Sequence, residues 1–280
     1  MNTVEGKYLY CIISTNQDRN FGPIGIGGRG DIVSTISFNG LAGVISNSPM
    51  DKYEISRENL PAHEKVIEEV MKDYTVLPVR FCTIASNAED IRRLLQRGHT
   101  EFKNLLHEMD NKIELGVKAV WWDMSAIFAE IASENKEIKK LKEKLSKKPS
   151  RQGKMKLRGL TPAGSSPPSA ERNPPKQKMS LLRRRIRLGE MVESALSKKK
   201  EKEASEILRV LKRHCADFKQ NKLFGDRMVL NAAFLLDRDW EKDFDHRVKG
   251  VAEKLDQRMK FAYVGPVPPF NFVNLVVEWK

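Results

Sequence analysis

From Ile32 to Phe38 the chain alternates, placing Ile32, Ser34, Ile36 and Phe38 on one face; Asn39-Gly40 follows, and Leu41-Ala-Gly-Val-Ile-Ser46 returns. Successive strand side chains point to opposite faces, and Asn-Gly accepts the positive φ angles of a two-residue turn, so this stretch is predicted to fold as an antiparallel hairpin. Around it, Lys7 to Ser14 is β-branched and aromatic and reads as a central strand. Leu60-Pro61 precedes a helical run marked by Val66, Ile67, Val70 and Met71, and Tyr74 to Thr83 reads as a strand whose Pro78 argues for an edge or bulge position. Asn87 is placed to cap a helix over Ala88 to Gln96, stopped by Gly98, and Phe102 to Met109 gives another. The first half is therefore β-β-β-α-β-α, an α+β arrangement.

In the second half, Lys112 to Trp122 and Met228 to Leu236 are strands that run into Asp123 and Asp237, each leading to an amphipathic helix. Met124, Ile127, Ile131, Ile138, Leu141 and Leu145 keep helical spacing, as do Leu208, Leu211, Cys215 and Phe218. These two runs are predicted to pair as a long helical hairpin. Pro149 to Met179, between them, holds six of the 13 prolines and is predicted to be a disordered linker.

The net charge of +13 lies mostly in this region. Between Lys136 and Lys202 there are 22 Lys/Arg against 6 Asp/Glu, so the folded parts are close to neutral. The basic run from Ser146 to Arg187 would attract phosphates, and a nucleic-acid-binding module acting through residues 146–187 is the rival functional reading. Yet no Phe, Tyr or Trp occurs from Ala129 to Asp217, which leaves bases nothing aromatic to stack on. A solvated, solubilising linker accounts for the charge, and an acidic protein partner comes next.

Three separated cysteines, Cys11, Cys82 and Cys215, have no CxxC pairing and no His at ligand spacing, which fits reduced thiols in a cytosol. No run of ~18 apolar residues occurs, and no signal peptide or membrane span is expected. Gly25-Ile-Gly-Gly-Arg-Gly30 matches GxGxxG, but Asp31 opens a strand where a dinucleotide site needs a helix. His63-Glu64 begins a zinc-protease HExxH whose second ligand position holds Ile67. No catalytic residue, metal or cofactor is predicted, and the chain is read as no enzyme. Arg80, between Val79 and Phe81, points away from its apolar neighbours; it is a candidate interdomain or partner contact, with a solvated strand charge as the plainer account.

The stretch from Phe261 to Leu275 is aromatic and almost uncharged, so it must pack on its own protein or be kept for a partner. Phe261 to Val264 is expected to be a strand of the second domain. Pro266, Pro268 and Pro269 limit regular pairing, which leaves Phe270 to Leu275 to reach another surface. Pro268, Pro269, Phe270, Asn271, Phe272 and Asn274 are the candidate partner-binding residues.

Taken in order, Tyr8-Leu-Tyr10, Leu41 to Ser46, His63-Glu64, Val76-Leu-Pro-Val-Arg-Phe81, Glu114 to Asp123, Leu230 to Arg238 and Tyr263 to Asn274 span nearly the whole chain, and the chain resembles the gas vesicle protein L/F family, GvpL/GvpF. The resemblance implies a non-enzymatic accessory or minor structural protein of gas vesicle assembly. It implies binding to the small hydrophobic shell protein and other vesicle proteins, a place in the cytoplasm and at the vesicle, and no membrane. It also implies two ferredoxin-like α+β domains, taken as 1–110 and 111–280, with the linker 149–179 inside the second. Cys82 stands where a small residue such as Gly is expected, and the linker is longer than the family suggests.

Overall fold

The computed structural model describes residues 4–50, 53–146, 176–277 and 279. They form a mixed α and β fold built on two antiparallel sheets. The first sheet begins with β1 (Glu5–Ile13), β2 (Asn20–Gly22), β3 (Val33–Phe38) and β4 (Leu41–Pro49). It continues through α1 (Asn59–Met71), β5 (Val76–Pro78), β6 (Ile84–Ala85), α2 (Ala88–Arg97) and α3 (His99–Glu108). Its strand order is β2-β3-β4-β1-β5, with β6 beside β1.

The predicted hairpin is β3 and β4, with Phe38 opposite Leu41. Asn39 and Gly40 turn it with φ of 47° and 86°. The predicted central strand is β1, whose residues Tyr8 to Ile13 are all fully buried. Register shifts between Leu9 and Cys11 against β4, and such a bulge lets neighbouring residues fall on one side. Tyr10 and Cys11 therefore join Tyr8 and Ile13 in a core with Val66, Ile67 and Val70 of α1, while Leu9 and Ile12 join Ile91, Leu95, Phe102 and Leu106 of α2 and α3. Asn87 caps α2 as expected, accepting from the Asp90 amide at 3.0 Å.

The single strand expected over Tyr74 to Thr83 is instead broken into β5 and β6. Cys82 is the reason: its φ is 63°, in the left-handed region that favours glycine and cannot continue a strand. This also explains why a small residue is expected there. The Cys82 amide donates to the Tyr8 hydroxyl at 2.8 Å, and its thiol accepts from the Tyr53 amide at 3.2 Å.

The second half comprises β7 (Lys112–Trp121), α4 (Met124–Glu134), α5 (Lys136–Ser146), α6 (Lys176–Leu211), β8 (Asp217–Gln220), β9 (Met228–Asp237), α7 (Glu241–Lys254) and β10 (Met259–Val267). Its sheet is ordered β10-β7-β9-β8. Two expectations change here. The helical spacing over Met124 to Leu145 is interrupted at Asn135, which is extended (φ −111°, ψ 102°) and whose side chain accepts from the Glu137 and Ile138 amides, starting α5 afresh. Phe218 does not continue the helix of Leu208 and Leu211: α6 stops at Leu211, His214 has φ 59°, and Phe218 lies on β8 opposite Phe234.

Each sheet draws its strands from one side of residue 110. In the first, β1 leads through β2 into β3 with no α-helix between them, so the helix that a ferredoxin-like βαββαβ order needs after its first strand is missing; the Asn39-Gly40 hairpin and α1 stand where that order has a hairpin and its second helix. By compactness the chain falls into two units, Met1–Val120 with Glu206–Lys280, and Trp121–Ser205. Within the smaller unit, Lys199 of α6 lies 3.0 Å from Glu130 and 2.9 Å from Glu134 of α4, and the Trp121 indole donates to Glu203 at 2.7 Å. Of the linker expected over 149–179, residues 149–175 lie outside the described residues, and α6 begins at Lys176.

A Cβ placed on Gly40 would meet nothing nearer than Lys103 Nζ at 3.7 Å, so substitution there tests backbone conformation without a clash. Gly40→Val should cost about 1–2 kcal/mol, the penalty for a left-handed residue with a side chain. It would be read as a lower urea midpoint at unchanged slope.

Candidate functional site

The segment after β10 folds back onto its own protein. Pro268 and Pro269 are buried, and their carbonyls accept from the amides of Phe270, Phe272 and Val273 in a tight turn. Glu114 on β7, only 4% exposed, holds the turn: its carboxylate accepts from the Asn271 amide at 2.8 Å and from the Asn271 side chain at 2.5 Å. Lys219 of β8 donates to the Asn271 carbonyl at 2.7 Å and stands 5.5 Å from the Phe272 ring. Burial raises the Glu114 carboxyl above its ordinary pKa, while the two Asn271 hydrogen bonds and Lys219 pull it down.

Anchored there, the segment runs on to the first sheet. Leu275 makes a parallel bridge to Val79, just past β5. Val273 and Leu275 are buried with Leu77 and Val79, Phe272 packs against the same cluster, and Phe270 packs against the other, beside Tyr8, Val66 and Ile67.

A cleft of about 260 Å³ opens between this segment, the exposed side of α1 and the end of β5. Leu60, Pro78, Val79, Phe81, Phe270 and Leu275 supply its apolar walls, and Glu64, Arg80 and Asn274 its polar groups. Arg80 is exposed, and among the described residues its guanidinium has neither ion pair nor hydrogen bond. Glu64 is partly buried, and burial, then Glu68, raises its carboxyl pKa.

His63 lies beneath the cleft, 3% exposed. Its Nδ1 is 3.1 Å from the Tyr8 hydroxyl, and its ring meets Phe81 edge-on at 5.6 Å. Since the Tyr8 oxygen already accepts from the Cys82 amide, its proton is free to go to Nδ1. Burial lowers the His63 pKa to about 4, against a smaller upward pull from a backbone hydrogen bond to Val79. His63 is thus a neutral structural support.

The structure brings Arg80, Phe270 and Asn274 to one cleft and turns Pro268, Pro269, Asn271 and Phe272 inward. Sequence reasoning passed over Glu114, although a carboxylate between Ile113 and Leu115 in an apolar strand signals a buried acid with a dedicated partner. Among the described residues no group of three His, Cys, Asp or Glu could hold a metal ion, and no helix is long and apolar enough to cross a membrane. The cleft, with apolar walls and rim charges, is suited to hold an apolar side chain from outside.

A family model described as gas vesicle synthesis protein GvpL/GvpF matches residues 6–274, from β1 through the clamped segment. The chain belongs to this family. Gas vesicle protein F of Nostoc sp. is 23% identical over 273 residues, covering 96% of this chain and 98% of its own. Gas vesicle protein F1 of Halobacterium salinarum is 22% identical over 274 residues, covering 97% and 94%. The crystal structure of GvpF from Anabaena sp. shares the fold with a TM-score of 0.75 at 24% identity, covering 98% of this chain and 100% of that chain. That of GvpF from Microcystis aeruginosa gives 0.72 at 22% identity. GvpL/GvpF is a family of gas vesicle proteins and not of enzymes, and the role of this chain lies with gas vesicles.

Two measurements test the site. His63 has a folded pKa below its unfolded value of 6.5, so between about pH 6.5 and 4 the unfolded state takes up a proton that the native state refuses. Stability should fall as pH drops through that window, by up to ~3 kcal/mol, and the difference between wild type and His63→Gln should vary with pH only there. Glu114→Ala leaves the Asn271 donors without their acceptor; it should cost about 2–4 kcal/mol in urea unfolding and expose the chain near residue 271 to limited proteolysis.

Proposed function

We propose that the protein is a non-enzymatic assembly factor of gas vesicles that binds the small hydrophobic shell protein, and other vesicle proteins, through the cleft around Arg80, Phe270 and Asn274. Family membership supports the vesicle role. The observation that carries the site is the combination, in one cleft, of apolar walls with an exposed, uncommitted Arg80. A protein that tiles a gas-filled wall shows apolar surface before it assembles, and a partner that covers such a segment prevents premature association. Arg80 would fix the register of the guest by pairing with a carboxylate or a carbonyl at the rim. Pro268, Pro269, Asn271 and Phe272 serve this site by shaping the wall from behind. The place of action is the cytoplasm, where shell protein is made, and then the growing vesicle.

The finer architecture belongs to the same reading. A division near residue 110 into domains 1–110 and 111–280 is supported by the two sheets. For the second domain, ferredoxin-like topology is supported by its spatial order of fourth, first, third and second strand. Lys199 between Glu130 and Glu134 supports α4 and α6 as arms of a helical hairpin.

Arg80 and Asn274 are exposed, so their substitution separates binding from folding. With co-expressed shell protein, Arg80→Glu and Asn274→Arg should each lower co-purification about tenfold, near 1.4 kcal/mol, while thermal unfolding stays unchanged. Full retention of shell protein by both folded variants would refute the assignment of the cleft.

A further inference from the structure

The first turns of α6 carry an apolar seam that the described chain leaves uncovered. Leu182, Gly189 and Leu196 recur every seven residues and so share one side of the helix, with Ile186 between the first two. Leu196 is buried at 7% exposure, whereas Leu182 and Ile186 are 56% and 53% exposed and Leu181 beside them 40%. One seam thus passes from covered to open along a single helix. Gly189 marks the transition. Glycine inside a helix weakens it relative to alanine, and beyond the adjoining helix backbone no heavy atom of the described residues lies within 4 Å of where a Cβ would stand, so packing among the described residues gives no reason for it.

The same turns carry Arg183, Arg184, Arg185 and Arg187, all exposed and without an ion pair among the described residues. We infer that this end of α6 is a docking surface for an acidic amphipathic helix of another protein. The partner's apolar residues lie on Leu182, Ile186 and the gap at Gly189, and its carboxylates face the arginines. Charge selects this occupant over a second copy of the chain, which would set arginine against arginine. A nucleic acid would engage the arginines but leave Leu182 and Ile186 in water, with no aromatic residue between Ala129 and Asp217 to stack on a base. A lipid surface has no use for a missing side chain at Gly189, whereas a second helix does, because it lets two backbones approach.

The test uses the full chain and a fluorescent three-heptad peptide with Leu at the seam positions and Glu elsewhere, read by anisotropy. A peptide of the same composition with its leucines scrambled is the control. The heptad peptide should bind at least about tenfold more tightly than the control, and Leu182→Ser or Ile186→Ser should each remove about tenfold of that affinity. Gly189→Leu should block binding without lowering the thermal midpoint, since leucine is the better helix former and a Cβ there meets open space among the described residues. Equal affinity for the two peptides would reduce the surface to charge alone and overturn the proposal. Tighter binding to phosphatidylglycerol vesicles or to an RNA duplex than to the heptad peptide would overturn it in favour of that occupant.

Discussion

A carboxylate in the middle of a sheet can stay there only if its oxygens are occupied, and Glu114 meets that condition through Asn271. The requirement is mutual. The amide and side chain of Asn271 would otherwise be partly buried donors without a partner, and its carbonyl is taken by Lys219. From this one contact the closing segment acquires its direction: Phe270 falls on one core of the first sheet, Phe272 on the other, and Leu275 reaches Val79. A cleft formed by residues near positions 60, 80 and 270 exists because an acid on β7 holds the last of these in place.

Beneath the cleft a second polar chain works the same way on a smaller scale. The Cys82 amide, the Tyr8 hydroxyl and His63 satisfy one another in sequence inside an aromatic cluster that includes Tyr10, Tyr53 and Phe81. This lets the chain take its left-handed step at Cys82 and turn Arg80 outward. His63-Glu64, which looks in sequence like the fragment of a metal site, divides its labour between a buried structural ring and a carboxylate on the cleft wall.

Much of the fold was legible wherever local chemistry and tertiary context agree. The Asn39-Gly40 hairpin, the Asn87 cap and the strand from Lys112 that ends at the Asp123 cap carry their own turn residues or caps, and the strand from Met228 carries an apolar run. Legibility ended where one periodicity admits two structures. Phe218 keeps step with Leu208 and Leu211 as a helix would, but it is partly buried on β8 through pairing with β9, a contact with no signature in spacing. Asn135 sits in a gap of the helical pattern that hides a restart. For the site, composition identified Phe261 to Leu275 as unusual, and strand alternation set Arg80 on the face away from its apolar neighbours. It did not reveal that Asn271 is consumed by Glu114, because the two are 157 positions apart and the apolar strand around Glu114 signals a buried acid without naming its partner.

The parallel bridge between Leu275 and Val79 joins residues far apart in the order of synthesis. On a ribosome the strands of the first sheet emerge before the segment from Phe270 to Leu275 and can pair among themselves, yet the β5 side and its share of the core stay open until that segment follows. The nascent protein therefore has an interval in which the first sheet is assembled and unsealed, and its apolar interior is accessible from one side. Arrival of the Phe270 to Leu275 segment ends that interval, so the timing of synthesis itself sets how long the interior can be reached.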